Sequence, residues 1–250
     1  MNFVLDGVFV LARKPVVSVI IPTLNESAFI EKCVSSFGRQ SAARETFEII
    51  VSDSSSNDNT AEIARKFADK VVVCERKSAT HGRNEGARIA GGKFLVFVDA
   101  DTVVGKHFIE GVVGAMEKGI AATGPIFALE KDSLRMRLFL QYWSFQSLVS
   151  TAIGFPIFPG FNFAVRRNVF EKAGGFQEKR TGEDIDLSLR LARLGKIVFS
   201  ENMVVFTSTR RLREQGILRY AFNGFTYIFF GKSVPWHEYR KDFVVQGERR

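Results

Sequence analysis

The chain has 250 residues, enough for one large domain with a sizeable core, and its 46% hydrophobic and 25% charged content excludes wholesale disorder. A net charge of +8 favours anionic partners: acidic lipid, phosphorylated substrates or nucleic acid. Cys33 and Cys74 form neither a metal spacing nor a disulfide framework, which fits a reduced, cytoplasmic setting, and three scattered histidines exclude a histidine metal cluster.

The opening "MNFVLDGVFVLARKP" lacks a basic start and a small-residue cleavage site and is not read as a signal peptide. "PVVSVIIP" is a β-branched run stopped by Pro22, as a buried parallel strand would be. "NESAFIEKCVSSFGRQ" has helical spacing at Phe29, Ile30, Val34 and Phe37, with Asn25 or Ser27 as cap. "FEIIVSD" predicts the second strand, ending at Asp53, and "SSNDNTAEIARKFAD" a turn and helix in which Asp58 and Asn59 serve as caps. "KVVVCE" predicts a third strand, "HGRNEGARIAGG" a loop and helix, and "KFLVFVDAD" a fourth strand. Further on, "SLRMRLFLQYWSFQSLVSTAIGFPIFPGF" is aromatic and nearly uncharged after Arg137, and near the length of a membrane span; its Gln, Ser and Gly-Phe-Pro content argues against crossing. "NFAVRRNVFEKAGGF" reads as strand, turn and helix start. "TGEDIDLSLRLARLG" reads as an amphipathic helix with Leu187, Leu191 and Leu194 on one side and Gly195 as its stop. "KIVFSENMVVFTS" supplies more strand, and "ILRYAFNGFTYIFFGKSVPW" is an aromatic tail suited to a bilayer interface, to core or to a homodimer contact.

Strands alternating with helices predict an α/β layer with a mostly parallel sheet, whose ligands bind beyond the carboxyl ends of the strands. Pro22–Glu26, Asp53–Ser56 and Asp99–Asp101 all fall at such ends. Asp99 and Asp101 repel unless a cation sits between them, and hard carboxylates favour Mg²⁺ or Mn²⁺ with phosphate filling the open positions. A solvated turn is the plain alternative. Asp53 can accept a hydrogen bond from a base ring N–H, and Arg83 can meet phosphate beside a helix start, although a surface arginine would look the same. Glu183 and Asp184 suit a helix N-terminus through the macrodipole, but two adjacent acids after Gly182 exceed what capping needs, and one can act as a general base. The helix terminus is expected to hold Asp184 at low pKa. Arg210, Arg211 and Arg213 cluster after a strand, as pyrophosphate capture requires; nucleic acid is not expected as a partner, since no aromatic-basic alternation accompanies them.

Taken in order, "VSVIIPTLNE", "IIVSDSSSNDNT", "GRNEGARIAGGKFLVFVDADT" and "TGEDIDLSLRLARLG" resemble the family 2 glycosyltransferases, over Val16 to Ser208. The resemblance implies a GT-A, Rossmann-like fold with helices flanking the sheet, and transfer of a sugar from a nucleotide diphosphate donor with inversion. It implies that Pro22, Thr23, Leu24 and Glu26 flank the nucleoside, that Asp53 faces the base and that Arg83 lies near the diphosphate. Asp99 would approach ribose and metal, Asp101 would bind the divalent cation directly, and Asp184 would be the base, supported by Glu183. Gly160 and Asn162, in "PGFNFAVRR", would neighbour the acceptor, and Arg210 and Arg211 would close over the donor. The family's "DDGS" is "DSSS" here, which removes loop glycine freedom, and the tryptophan-containing motif of processive synthases is absent, which points to single-sugar transfer. A UDP-sugar is the favoured donor, with a glycan or lipid-linked acceptor and an anionic membrane surface as open partners. The expected organisation is an extension at 1–15, the catalytic domain at 16–208 and a basic, aromatic segment at 209–250. Two rival readings are a haloacid dehalogenase-like phosphatase with Asp99 as nucleophile, which shares the D-x-D string, and a non-catalytic basic module for membrane or nucleic acid.

Overall fold

The computed structural model describes residues 3–5, 8–10, 14–75, 78–178 and 182–217; the aromatic tail from Leu218 onward lies outside the described residues. The strands β1 (Phe3–Leu5) and β2 (Val8–Val10) pair antiparallel ahead of the main body, inside the stretch expected to be a plain extension. Next come β3 (Val17–Thr23), α1 (Ile30–Ser36), β4 (Phe47–Asp53), α2 (Thr60–Ala64), β5 (Lys70–Val73), α3 (Ala79–Ile89) and β6 (Phe94–Phe97). This is the predicted alternation. The chain continues through β7 (Thr102–Val104), α4 (Phe108–Lys118), β8 (Ala121–Thr123), β9 (Ile126–Ala128) and α5 (Leu134–Ala152). It closes with β10 (Phe163–Arg166), α6 (Arg167–Lys172), α7 (Glu183–Ala192), β11 (Ile197–Phe199), β12 (Val205–Thr207) and α8 (Arg210–Gln215).

Seven strands form the main sheet in the order β11-β8-β10-β6-β3-β4-β5, parallel throughout except for β10, which runs against both β6 and β8. β3, β4 and β6 are buried at every position, as expected of strands covered on both faces. Their side chains alternate between two cores. Val17, Val19 and Ile21 join Ile30, Val34 and Phe108 on one face, while Ile20, Ile50 and Leu95 join Leu187 and Leu191 on the other. Five phenylalanines meet in that second core, where Phe163 stacks between Phe97, with ring centroids 5.7 Å apart, and Phe158, 4.5 Å away.

The order places β4 and β5 on one side of β3 and β6 on the other, so the winding reverses between β3 and β6. A crevice opens at the carboxyl ends of strands where winding reverses, and Thr23 and Asp99 stand on its two sides. A smaller sheet, β7-β12-β9, carries the chain away from Asp101 and returns it at Ser208.

Two local expectations fail. The N-cap of α1 is Phe29, without a side-chain bond, because Asn25 turns into the left-handed region (φ 55°) and accepts the Asn57 N–H instead, at 2.8 Å. Ser27 likewise gives its N–H to Asp58. Helix α7 stops at Ala192, so Leu187 and Leu191 are buried while Leu194 lies past the end and is exposed.

Candidate active site

A cavity of about 210 Å³ occupies the reversal point, lined by Pro22, Thr23, Leu24 and Glu26 from the end of β3, Asp99 and Ala100 after β6, Arg83 from α3, Glu183 from α7 and Arg211 from α8. Ser54, from the strand end already singled out, and Ser78, Ala79 and Thr80 at the start of α3 complete the lining; the last three are small residues that gave no sequence signal for this. Segments from six parts of the chain thus converge on one rim.

Arg83 is the buried centre of the charge arrangement. Its Nη2 donates to Asp99 Oδ1 at 3.1 Å and its Nη1 to Glu183 Oε1 at 3.3 Å, while its guanidinium lies 5.3 Å from the Phe176 ring centroid. The nearby Asp99 and Glu183 charges hold its pKa up against burial. Arg83 ties the tip of β6 to the start of α7 rather than presenting a free cation to solvent.

Glu26 is likewise buried and receives both arginines of α8. Arg210 Nη2 bonds its two carboxylate oxygens at 3.0 and 2.9 Å, and Arg211 Nη2 bonds Oε1 at 3.1 Å. The Arg210 guanidinium also sits 4.7 Å from the Phe29 ring centroid. Beyond Glu26 the same groups reach the aspartates, with Arg210 3.8 Å from Asp101 and Arg211 4.0 Å from Asp99. The small sheet fixes this approach: Ser208 N–H donates to the Asp101 carbonyl at 3.1 Å, and Thr102 Oγ1 to Thr207 Oγ1 at 3.0 Å.

Asp101 is almost fully buried, and its pKa is raised to about 6, first by desolvation and then by Asp99 and Glu26, against the lowering pull of Arg211 and Arg210. Asp184 opens α7 beside Glu183. Its Oδ2 accepts the Gly160 N–H at 3.2 Å and its Oδ1 accepts the Ile185 N–H at 2.9 Å. The low pKa expected from the helix terminus is not found: desolvation and the Glu183 charge lift it well above the ordinary aspartate range, overcoming Arg83 and both N–H donors. The Gly182 N-cap takes φ 76°, a conformation suited to glycine. A Cβ at Gly160 would just touch the Arg83 guanidinium and Asp184 Cβ, each at 3.4 Å, so the glycine leaves about a methyl group's room there.

Glu26, Asp99, Asp101, Glu183 and Asp184 thus face Arg83, Arg210 and Arg211. If all are ionised, two negative charges remain, the complement of one divalent cation. The donor set is hard oxygen, so the residues fit Mg²⁺ or Mn²⁺. Among the described residues no three such ligands close around one point, so a cation held by Asp99 and Asp101 would take its remaining ligands from a phosphorylated substrate or water.

Two predicted residues stand apart. Asp53 is buried and accepts from Thr23 Oγ1 at 3.0 Å, Ser56 N–H at 2.9 Å and Ser56 Oγ at 2.5 Å, closing the loop after β4. Asn162 is fully buried, its amide donating to the carbonyls of Gly124, Pro125 and Met203. Of the two caps expected for α2, Asn59 is the N-cap but makes no side-chain cap bond, and Asp58, one residue earlier, accepts from Thr60 N–H at 3.0 Å. Among the described residues no helix is long and apolar enough to cross a membrane.

Residues 18–174 match the model of the family described as Glycosyl transferase family 2. The chain is 29% identical over 199 residues to the probable glycosyltransferase YdaM of Bacillus subtilis (strain 168), an alignment that takes in 72% of this chain and 47% of that one. It therefore spans about half the length of that relative. The fold superposes on S. aureus TarS 1-349 in complex with UDP-GlcNAc with TM-score 0.64 and 19% identity, covering 77% of this chain and 58% of TarS 1-349. It also superposes on the mannosyltransferase PcManGT from Pyrobaculum calidifontis in complex with GDP-Man and Mn²⁺, with TM-score 0.62 and 21% identity, covering 89% of this chain and 66% of that one.

Proposed function

Because the chain belongs to the family 2 glycosyl transferases, we propose that it moves a single sugar, with inversion, from a nucleotide-diphosphate sugar to a hydroxyl or lipid-phosphate acceptor. UDP-sugar is the favoured donor, in keeping with the UDP-GlcNAc complex of TarS, and GDP-sugar is its first competitor, after PcManGT. The catalytic unit is residues 16–208, with Arg210 and Arg211 of α8 closing over the donor side.

In this reading Pro22, Thr23 and Leu24 border the nucleoside, and Asp53 acts on the base side by shaping the loop that carries Ser54. Asp99 and Asp101 would hold a divalent cation, which would supply Lewis-acid neutralisation of the leaving diphosphate. Arg210 and Arg211 reach the same oxygens by exchanging part of their hold on Glu26 for phosphate, as guanidinium geometry allows. Asp184 takes the proton of the acceptor hydroxyl as it attacks the anomeric carbon from the face opposite the diphosphate, and the bond to the diphosphate breaks as the new glycosidic bond forms. Glu183, held by Arg83, keeps α7 and therefore Asp184 in place, while Gly160 leaves space beside it. Asn162 supports the acceptor side through the backbone it ties together.

The reading is carried by the pairing of a proton-accepting Asp184 with a carboxylate cluster whose excess charge suits one divalent cation. Asp184→Asn should lower transfer by about 10²–10⁴-fold while retaining stabilisation by UDP and Mn²⁺ in a thermal-shift panel. Unchanged turnover in that variant would refute the assignment.

A further inference from the structure

Helix α5 is apolar on two opposite sides. Its small polar side chains face the protein: Ser144 Oγ accepts the Ile126 N–H at 2.8 Å, Ser147 Oγ donates to the Ile157 carbonyl at 3.3 Å, and Ser150 Oγ accepts the Ile157 N–H at 3.1 Å. Met136, Phe139, Leu140 and Trp143 pack inward against the core, and a second apolar row faces outward. Leu134, Leu138, Tyr142, Phe145, Val149 and Ile153 follow one another at helical spacing, with exposures of 68, 54, 63, 62, 39 and 72%. Scattered exposed leucines need no explanation, but a continuous apolar stripe of this length along one helix does.

Charge selects the occupant. Along α5 itself, from Leu134 to Ala152, the sequence has no aspartate or glutamate and carries two arginines. Arg135 and Arg137 are exposed on the first turns of the same helix, and Lys131 is exposed just before it. Glu130 and Asp132 lie near Arg137 and turn back to bond Ser208, Thr209 and Ser133, and against Lys131, Arg135 and Arg137 they leave one net positive charge at this end. An apolar stripe with cations at one end and no acid along it is the chemistry of an anionic lipid interface, where the stripe enters the acyl boundary and the arginines meet phosphates.

The inner face links this helix to the site. Ile157, which receives Ser147 and Ser150, belongs to the segment that gives the Pro156 carbonyl to Ser188 of α7, at 2.9 Å, and the Gly160 N–H to Asp184. We propose that the outward face of α5 rests on an anionic membrane surface and that the acceptor reaches Asp184 from that surface. The second half of this statement rests on the glycosyl-transfer reading; the first half does not.

The full chain should co-sediment with phosphatidylcholine vesicles containing phosphatidylglycerol, and much less with phosphatidylcholine alone. Leu138→Glu with Phe145→Glu should weaken that binding by about tenfold or more, and Arg135→Gln with Arg137→Gln should weaken it in proportion to the anionic lipid. Both variants should keep the wild-type thermal shift with UDP and Mn²⁺, which separates loss of docking from misfolding and from failure of the donor reading. Hydroxyl-radical footprinting should label Tyr142 and Phe145 in the lipid-free chain and find them protected on vesicles. A wild-type chain that stays in the supernatant overturns the proposal, as does equal binding by the glutamate variant. Protection of Tyr142 and Phe145 without lipid also overturns it, because a second copy or another part of this chain would then own the face.

Discussion

Protonation of Asp184 decides whether the site can accept a proton, and its surroundings set the pH at which that happens. Because the folded carboxyl titrates above the ordinary range, the acid limb of the rate profile should fall nearer neutrality than for an exposed aspartate. The linkage has a definite sign. A carboxyl whose folded pKa is raised adds stability fully below its unfolded pKa and loses it as pH rises through the folded value. Asp184→Asn should therefore be more stable than the parent at neutral pH, with the difference vanishing below about pH 4 in urea titrations. Ser55 gives a second test. It stands where the family's loop has glycine, with φ 57° and its Oγ bonded to the Cys74 carbonyl at 2.7 Å. Ser55→Ala keeps the strained backbone and loses the bond, so it should cost about 1 kcal/mol, whereas Ser55→Gly gains from relaxed backbone about what it loses and should be near neutral. Residue types at this site were legible in the sequence because acids at strand ends have few uses. Their partners were not: Arg83 bonding Glu183, and Arg210 bonding Glu26, join positions 100 and 184 residues apart. The same blindness misplaced the pKa of Asp184, since a helix terminus is local whereas the burial that outweighs it is tertiary.

At the scale of elements, the alternation through β6 could be read from hydrophobic runs because β3, β4 and β6 are covered on both faces, while β5 at the sheet edge is legible from its β-branched run alone. Short elements such as β7, β8 and β9, of three residues each, carry too little pattern to be seen. The cap of α1 was misread because Asn25 and Ser27 had a stronger use in bridging to the loop at Asn57 and Asp58. Helix α3 shows how tightly the elements meet. A Cβ on Gly86 would come within 2.5 Å of both Ile20 Cγ2 and Ser52 Oγ, in strands β3 and β4. Ile20 is fully buried and cannot retreat, so Gly86→Ala should destabilise by about 1–3 kcal/mol despite its better helix propensity. Since α3 carries Arg83, the same variant should also raise the concentration of UDP needed for half-maximal stabilisation. Equal denaturation midpoints for variant and parent would refute this packing argument.

For the whole molecule, the family match decides between the readings that shared the D-x-D string, since it spans residues 18–174 and the strands that precede Asp99 as well. Those strands make β6 the fourth in the chain to join the main sheet and place its tip at the reversal of winding, where a nucleotide can lie. The net charge of +8 conceals a rim that is locally acidic, and this imbalance is stored as cost. Asp101→Asn removes a buried charge whose pKa is raised to about 6, so at neutral pH and without divalent cation it should raise stability by up to about 3 kcal/mol. The same variant should lose the Mn²⁺-dependent part of the nucleotide thermal shift; a lower melting temperature would contradict the charge argument. The bonds from Arg210 to Glu26 join sequence positions 184 residues apart, which bears on how the molecule acquires its activity. Loop-closure entropy disfavours such long-range contacts until intervening structure has brought the chain ends near one another. During synthesis, Glu26 leaves the ribosome long before Arg210 exists, so the strands can assemble while the clamp is still missing. In refolding from urea, helical circular dichroism should accordingly recover ahead of nucleotide binding, and the chain should become competent for its chemistry as the last act of becoming folded.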